Sequence, residues 1–200
     1  FDYSKLGVSH HSYSDFSLIS QVDGARIFSP GSKKELHSLM AENWDSGAIN
    51  YFRLTDNCHG LELALPGTLG NEAIRVHEGK DVTLITSGAS LKESDIAAKK
   101  LLSEGIEVEL IYLHTLKPLD CSTVARSLLK TGKALVVEEF SAVDGLRNRI
   151  LACAPVGSEV RGLAISGFVH SYGTYDDIKS ELGLSSAGIV QHLRDLSQDA

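Results

Sequence analysis

Apolar residues along this chain fall into two kinds of run. Mostly apolar stretches over 82–86, 108–113, 134–138 and 160–165 have the length and composition of strands covered on both faces. Between them, apolar positions recur at helical spacing. Ile96, Ala97, Leu101 and Leu102 mark a helix over 94–102 that ends before Gly105, and similar spacing predicts helices over 121–130 and 145–152. A last helix over 186–196 carries Ile189, Val190, Leu193 and Leu196. Residues 82–120 therefore form one complete strand–helix–strand unit. Two apolar strands joined by an amphipathic helix of this length require a parallel sheet with a right-handed crossover.

The front of the chain has a different rhythm. Residues 1–12 are loop-like, with Gly7 and the pair His10-His11, and 13–20 suit a short helix capped by Ser12 or Ser14. A strand over 25–28 closes on Ser29-Pro30-Gly31. The helix over 32–43 is well marked: Ser32 caps it, Glu35 stands three positions on as in a capping box, and Leu36, Leu39 and Met40 form its stripe. A further strand covers 49–54. This portion is too small to close a sheet with two covered faces, and the chain opens without Met inside a patterned segment. It reads as the tail of a domain whose beginning lies elsewhere. Gly60, Pro66, Gly67, Gly70 and Gly79, with few periodic apolar residues, mark a linker. The expected organisation is a partial domain over 1–58, a linker over 59–80 and a domain over 81–200. The fold class is α/β: a three-layer αβα unit with a mostly parallel sheet, preceded by a partial α/β domain.

Composition narrows the functional classes. A chain of 200 residues, 42 % hydrophobic and 22 % charged, matches an ordinary soluble globular protein. Its net charge is −7 with both signs mixed throughout, so no basic face argues for nucleic acid. No apolar run approaches the roughly 20 residues that span a bilayer, and the opening residues are no signal peptide, so a cytoplasmic protein without a membrane partner is expected. Cys58, Cys121 and Cys153 are far apart and form no CxxC pair, which predicts reduced thiols and no zinc site.

Several segments in order resemble the transketolase family of thiamine-diphosphate enzymes. Gly7-Val8-Ser9-His10-His11 and its following helix resemble that family's G-P-T-H-Q/H segment. Residues 25–32 resemble the strand and turn ending in a Pro-Ala-Asp-like step, and 49–56 resemble the last strand of the pyrimidine-binding domain. Residues 79–88, Leu116-Lys117-Pro118-Leu119-Asp120, 136–139 and 173–190 resemble markers of the C-terminal domain. The resemblance implies the end of a pyrimidine-binding domain followed by the transketolase C-terminal domain. It also implies transfer of a two-carbon ketol unit between sugars or sugar phosphates. The family's magnesium motif, G-D-G followed by Asn, and the segment holding its relay glutamate are not in this sequence. Thiamine diphosphate and magnesium would then be bound mainly by a part outside this chain. Carbanion formation needs a proton relay and a diphosphate anchor, so the chain alone is expected to be silent. It would act as a homodimer, or as a heteromer with a chain carrying the diphosphate-binding domain. The alternatives are a 2-oxoacid dehydrogenase beta subunit or deoxyxylulose-phosphate synthase, and a non-catalytic dimerisation module.

By the same resemblance His10 is the catalytic candidate, matching the histidine that faces substrate, with His11 and Ser9 as substrate contacts. Leu6 stands where transketolases commonly have an aspartate that reads a substrate hydroxyl. Asp56 stands where an arginine usually grips a sugar phosphate, and a carboxylate repels phosphate. Arg53 is the cation able to compensate, though side-chain alternation along its strand can point it elsewhere. With Leu6 and Asp56 in those places, the acceptor expected is less phosphorylated or modified. Three further features are weaker. The turn Ser87-Gly88-Ala89-Ser90 could hold an anion at a helix start. Glu138 and Glu139 should diverge to opposite faces of their strand. Asp176-Asp177 should cap a helix starting around Ile178, with His170, Tyr172 and Tyr175 ahead of it as interface candidates.

Overall fold

A computed structural model describes residues 2–198. Its front segment holds α1 (Asp15–Ser20), β1 (Ala25–Phe28), α2 (Lys33–Asn43) and β2 (Ile49–Phe52). As the serine-to-glutamate spacing predicts, the Ser32 side chain accepts from the Glu35 N–H at the start of α2. Of the expected α2 stripe only Leu39 is fully buried; Leu36 is half-buried and Met40 exposed. The strand expected to reach residue 54 stops at Phe52, where the ladder with β1 ends.

Beyond residue 58 the segment expected as a linker contains a strand, β3 (Ile74–His77). There follow β4 (Val82–Ser87), α3 (Leu91–Leu102), β5 (Val108–Leu113), β6 (Thr115–Lys117), α4 (Cys121–Thr131), β7 (Lys133–Ser141), α5 (Leu146–Cys153), β8 (Glu159–Ile165), α6 (Tyr175–Glu181) and α7 (Ser186–Gln198). The main sheet has the order β3-β5-β4-β7-β8, with β3 antiparallel at the edge and the other strands parallel. Alternation of side chains along the strands divides the core into two layers. Leu84, Leu110 and Leu135 face Leu101, Leu193 and Leu196 of α3 and α7. Ile85, Ile111 and Val136 face Val124, Leu128 and Ile150 of α4 and α5. The α/β three-layer class is thus the observed one.

Four local expectations are corrected. The strand β3 escapes a reading of apolar periodicity because it is a four-residue edge strand with a register irregularity. The three-residue strand β6 pairs antiparallel with β1, so the small front sheet has the order β2-β1-β6 and borrows a strand from beyond β5. Helix α6 starts at Tyr175, not near Ile178: Thr174 is its N-cap, and the Asp177 side chain returns to the Thr174 backbone to complete a capping box. Lastly, Cys121 and Cys153 are joined in a disulfide and only Cys58 is a free thiol. The two half-cystines are 32 residues apart in sequence. Their meeting depends on α4 and α5 packing side by side, which spacing alone does not reveal.

Asp120 ties these layers together at the start of α4. Its carboxylate accepts from the Thr123 N–H (3.0 Å), the Ser122 hydroxyl (2.7 Å) and the Ala73 N–H (3.0 Å). Burial pushes this carboxyl up, but those donors outweigh it and hold it at about 2. Asp120→Ala is expected to cost about 1–2 kcal/mol, the usual worth of a cap. Because the folded value lies below the unfolded one, the stabilisation is present near neutrality and is lost as the pH falls from about 4 towards 2. Urea unfolding at pH 7 and pH 3 checks both statements: the gap between variant and parent should narrow at the lower pH.

Candidate functional site

At the carboxyl ends of β1 and β2 two hollows, of about 190 Å³ and about 580 Å³, share Asp2, Tyr3 and Leu54 in their walls and so form one groove. The smaller is lined also by His10, Ser12, Asp15, Tyr51 and Arg53. His10 lies at the end of a short helical turn and is exposed. Its Nδ1 is 3.0 Å from the Ser9 hydroxyl, and its ring meets Tyr3 edge to face at 6.3 Å. His11 lies outside this lining and is half-buried; burial chiefly holds its imidazole below the ordinary value. Gly7 sets the path of this segment, since its φ of +75° suits glycine and a Cβ would meet the Tyr172 ring at 2.5 Å.

Arg53 is brought to the groove, but its guanidinium is already engaged. Nε donates to Asp15 Oδ2 at 3.0 Å, Nη2 donates to the Glu139 carbonyl at 3.1 Å, and the group stacks 4.6 Å above the Phe140 ring centroid. Tyr51 donates to the same Asp15 oxygen at 2.9 Å. Burial, then the Asp15 carboxylate, push the Tyr51 phenol up to about 12, so it stays a donor.

The larger hollow is lined by Pro30, Gly31 and the start of α2 on one side and by residues 54–58 and Gly60 on the other. Asp56 is exposed, and its carboxylate makes no hydrogen bond or ion pair among the described residues. Thr55 and Asn57 both donate to Asp2 Oδ1, at 2.7 and 2.6 Å. Beneath this wall lies a buried cluster. Glu35 accepts from His59 Nε2 at 2.7 Å, from the Tyr112 hydroxyl at 2.6 Å and from the Gly31 N–H at 2.8 Å. The Leu61 N–H donates to His59 Nδ1 at 2.9 Å, which places the imidazole proton on Nε2. Burial alone raises the Glu35 carboxyl, but hydrogen bonds from His59, Tyr112 and Gly31 outweigh it and hold it below the ordinary carboxylate value. Gly31 is required by closeness: a Cβ there would sit 2.5 Å from both the Gly88 carbonyl oxygen and the His59 ring.

The remaining candidates lie away from the groove walls. The Ser87–Ser90 turn is packed beneath Gly31, and the Ser90 hydroxyl donates to Glu139 at 3.1 Å. Glu138 and Glu139 do diverge. Glu138 accepts from the Leu146 and Arg147 N–H groups at the start of α5, while Glu139 accepts from Ser90 and the Tyr175 hydroxyl. Burial pushes the Glu138 carboxyl up to about 7 against those backbone donors. Among the described residues no group of three or more His, Cys, Asp or Glu side chains is placed to hold a metal ion. Among the same residues no helix is long and apolar enough to cross a membrane.

Sequence reasoning missed Asp15, Tyr51 and the Glu35–His59–Tyr112 cluster. Tyr112 carried the one available signal: a phenol inside a buried strand needs a partner for its hydroxyl.

Comparison with known proteins places this geometry in a context. A family model described as the transketolase C-terminal domain matches residues 71–189. The chain is 26 % identical over 197 residues to the 6-deoxy-6-sulfo-D-fructose transketolase subunit SqwH of Clostridium sp. (strain MSTE9), covering 96 % of this chain and 61 % of that protein. It is 26 % identical over 196 residues to 1-deoxy-D-xylulose-5-phosphate synthase of Chlorobium luteolum, covering 94 % of this chain and 31 % of that one. A solved structure described as "Split gene transketolase, inactive beta4 tetramer" superposes with a TM-score of 0.86 at 22 % identity, over 96 % of this chain and 64 % of that chain. The chain thus spans 61 % and 31 % of the length of these two relatives.

Proposed function

The chain belongs to the transketolase family, and from that premise we propose that it is the C-terminal section or small subunit of a thiamine-diphosphate-dependent enzyme moving a two-carbon ketol unit between sugars. The observation that carries this reading is the match of nearly the whole chain to a transketolase subunit. In this proposal the groove receives the sugar. His10 Nδ1 is oriented by Ser9, leaving Nε2 to hydrogen-bond a substrate hydroxyl or carry its proton. His11 backs this wall, and Arg53 holds Asp15 and Tyr51 in place beside it. Asp56 faces the acceptor's far end, which favours a sugar without phosphate there.

Thiamine diphosphate, held outside this chain, would supply the chemistry that moves the ketol unit. The residues present do not fit a resident diphosphate–magnesium pair. No metal-holding cluster exists among the described residues, and Lys33 of the larger hollow cannot by itself neutralise a diphosphate. A complementary chain carrying the diphosphate-binding domain would hold both, in a dimer or heteromer in the cytoplasm. The match of 94 % of this chain to deoxyxylulose-phosphate synthase supports a second reading, in which the two-carbon unit comes from a 2-oxoacid that loses carbon dioxide.

Mixing the two chains with thiamine diphosphate and magnesium tests the proposal. Neither chain alone should transfer, and the mixture should, with a free aldose acceptor faster than its phosphate. A mixture that binds cofactor but transfers only from a 2-oxoacid would favour the second reading. Strong preference for the phosphate would remove the role given to Asp56.

A further inference from the structure

The wall formed by residues 54–58 makes no backbone–backbone hydrogen bond among the described residues, and Leu54, Asp56 and Cys58 in it are exposed. Apart from the Thr55 and Asn57 side chains, which donate to Asp2, it is held by two fixed posts. At one end the Arg53 N–H donates to the Phe28 carbonyl (2.8 Å), and the Arg53 fork holds Asp15 and the Glu139 carbonyl. At the other, the His59 N–H donates to the Gly31 carbonyl (2.9 Å), and its ring is locked by Glu35 and the Leu61 N–H. Both posts also reach the main sheet. Glu139 is in β7, and Tyr112 of β5 donates to Glu35 while its ring meets the His59 ring at 5.7 Å.

We infer that the C-terminal sheet shapes the acceptor groove through Tyr112, Glu35 and His59, which act as positioning residues for the wall carrying Asp56 without touching the ligand. The inference rests on the ketol-transfer reading for its substrate, but the geometry it invokes belongs to this chain alone. Residues 59, 35 and 112 are essentially sealed from solvent, so none can be a ligand contact in this arrangement. A chain segment held at its ends has the conformation its anchors allow. Loosening one anchor leaves the strands in place and spreads the wall over many positions, which weakens binding before it slows chemistry.

Amide hydrogen exchange on the whole chain tests the anchors, and steady-state kinetics with the complementary chain test their use. Tyr112→Phe removes one hydroxyl, and His59→Phe removes the donor while filling the space. Each should speed exchange at the residue 59 amide, the one in 54–60 bonded to a backbone carbonyl, by about tenfold, with protection in β4 and β5 kept. Each should also raise the acceptor KM by about fivefold to tenfold, with kcat within about twofold. His59→Gln, which keeps a donor near the Nε2 position, should restore both within about twofold. Unchanged exchange at the residue 59 amide, equal acceleration throughout the chain, or an unchanged KM despite faster exchange would each overturn the inference. If the parental assembly transfers nothing, the ketol-transfer reading falls, and exchange still decides whether the anchors exist.

Discussion

Alanine in place of His10 is expected to lower turnover of the reconstituted assembly by about a hundredfold while leaving its content of thiamine diphosphate unchanged. The side chain is exposed at the rim of the groove and has only the Ser9 hydroxyl and the edge of Tyr3 as neighbours of note. Truncating it opens no cavity and orphans no buried group, so the melting temperature should shift by no more than about 1–2 °C. Loss of rate without loss of fold or cofactor is the signature of a group that touches the reacting substrate. Initial rates, cofactor content and a thermal melt on one preparation separate the cases. Turnover equal to the parent would show that His10 is a loop histidine and nothing more.

Glu35→Gln should have the largest effect on stability. Every partner of the carboxylate is a donor: His59 Nε2–H, the Tyr112 hydroxyl, the Gly31 N–H and the Ser32 hydroxyl. An amide offers one acceptor oxygen and forces an N–H₂ against the donors on its other side. At least one buried donor is then orphaned, at a cost of about 3 kcal/mol. For a chain of this size that is roughly a 6–12 °C fall in melting temperature. The pH dependence has a definite sign. Since the folded carboxyl lies below its ordinary value, its contribution is present above the usual carboxylate range and fades as the pH falls through the folded value. The difference between parent and variant should therefore be full at pH 7 and shrink below about pH 4. A difference under about 1 kcal/mol at pH 7 would mean that the cluster relaxes easily and holds little.

The contrast between these two residues shows what sequence can display. The parallel core strands were legible because a strand covered on both faces is mostly apolar, and residues 82–87, 108–113 and 133–141 are buried almost without a break. Strands β3 and β6 were not, since an edge strand of four residues and a strand of three carry too few positions to establish a period. At the site, His10 stood out only through resemblance to a family segment; nothing in its own neighbourhood distinguishes it from a solvated loop histidine. Glu35 was visible as a capping residue, which is half of what it does. Its other oxygen reaches Tyr112, 77 residues away in sequence, and its capping oxygen reaches His59 from a glycine-rich stretch. No local pattern encodes a meeting of three elements, because it depends on how the sheets pack. The disulfide between Cys121 and Cys153 was hidden for the same reason.

The small sheet has one more consequence. Its third strand, Thr115–Lys117, is threaded in from downstream of β5, so the polypeptide passes from the front unit to the main sheet and back again. A truncation after residue 80 would strip β1 of that neighbour and leave a bare hydrogen-bonding edge, the kind that recruits other chains into aggregates. A single cut in the exposed stretch around 66–68 would instead leave two fragments interlocked through β1 and β6. The two units are spliced together rather than strung in series, and they can be nicked apart in sequence without coming apart in space.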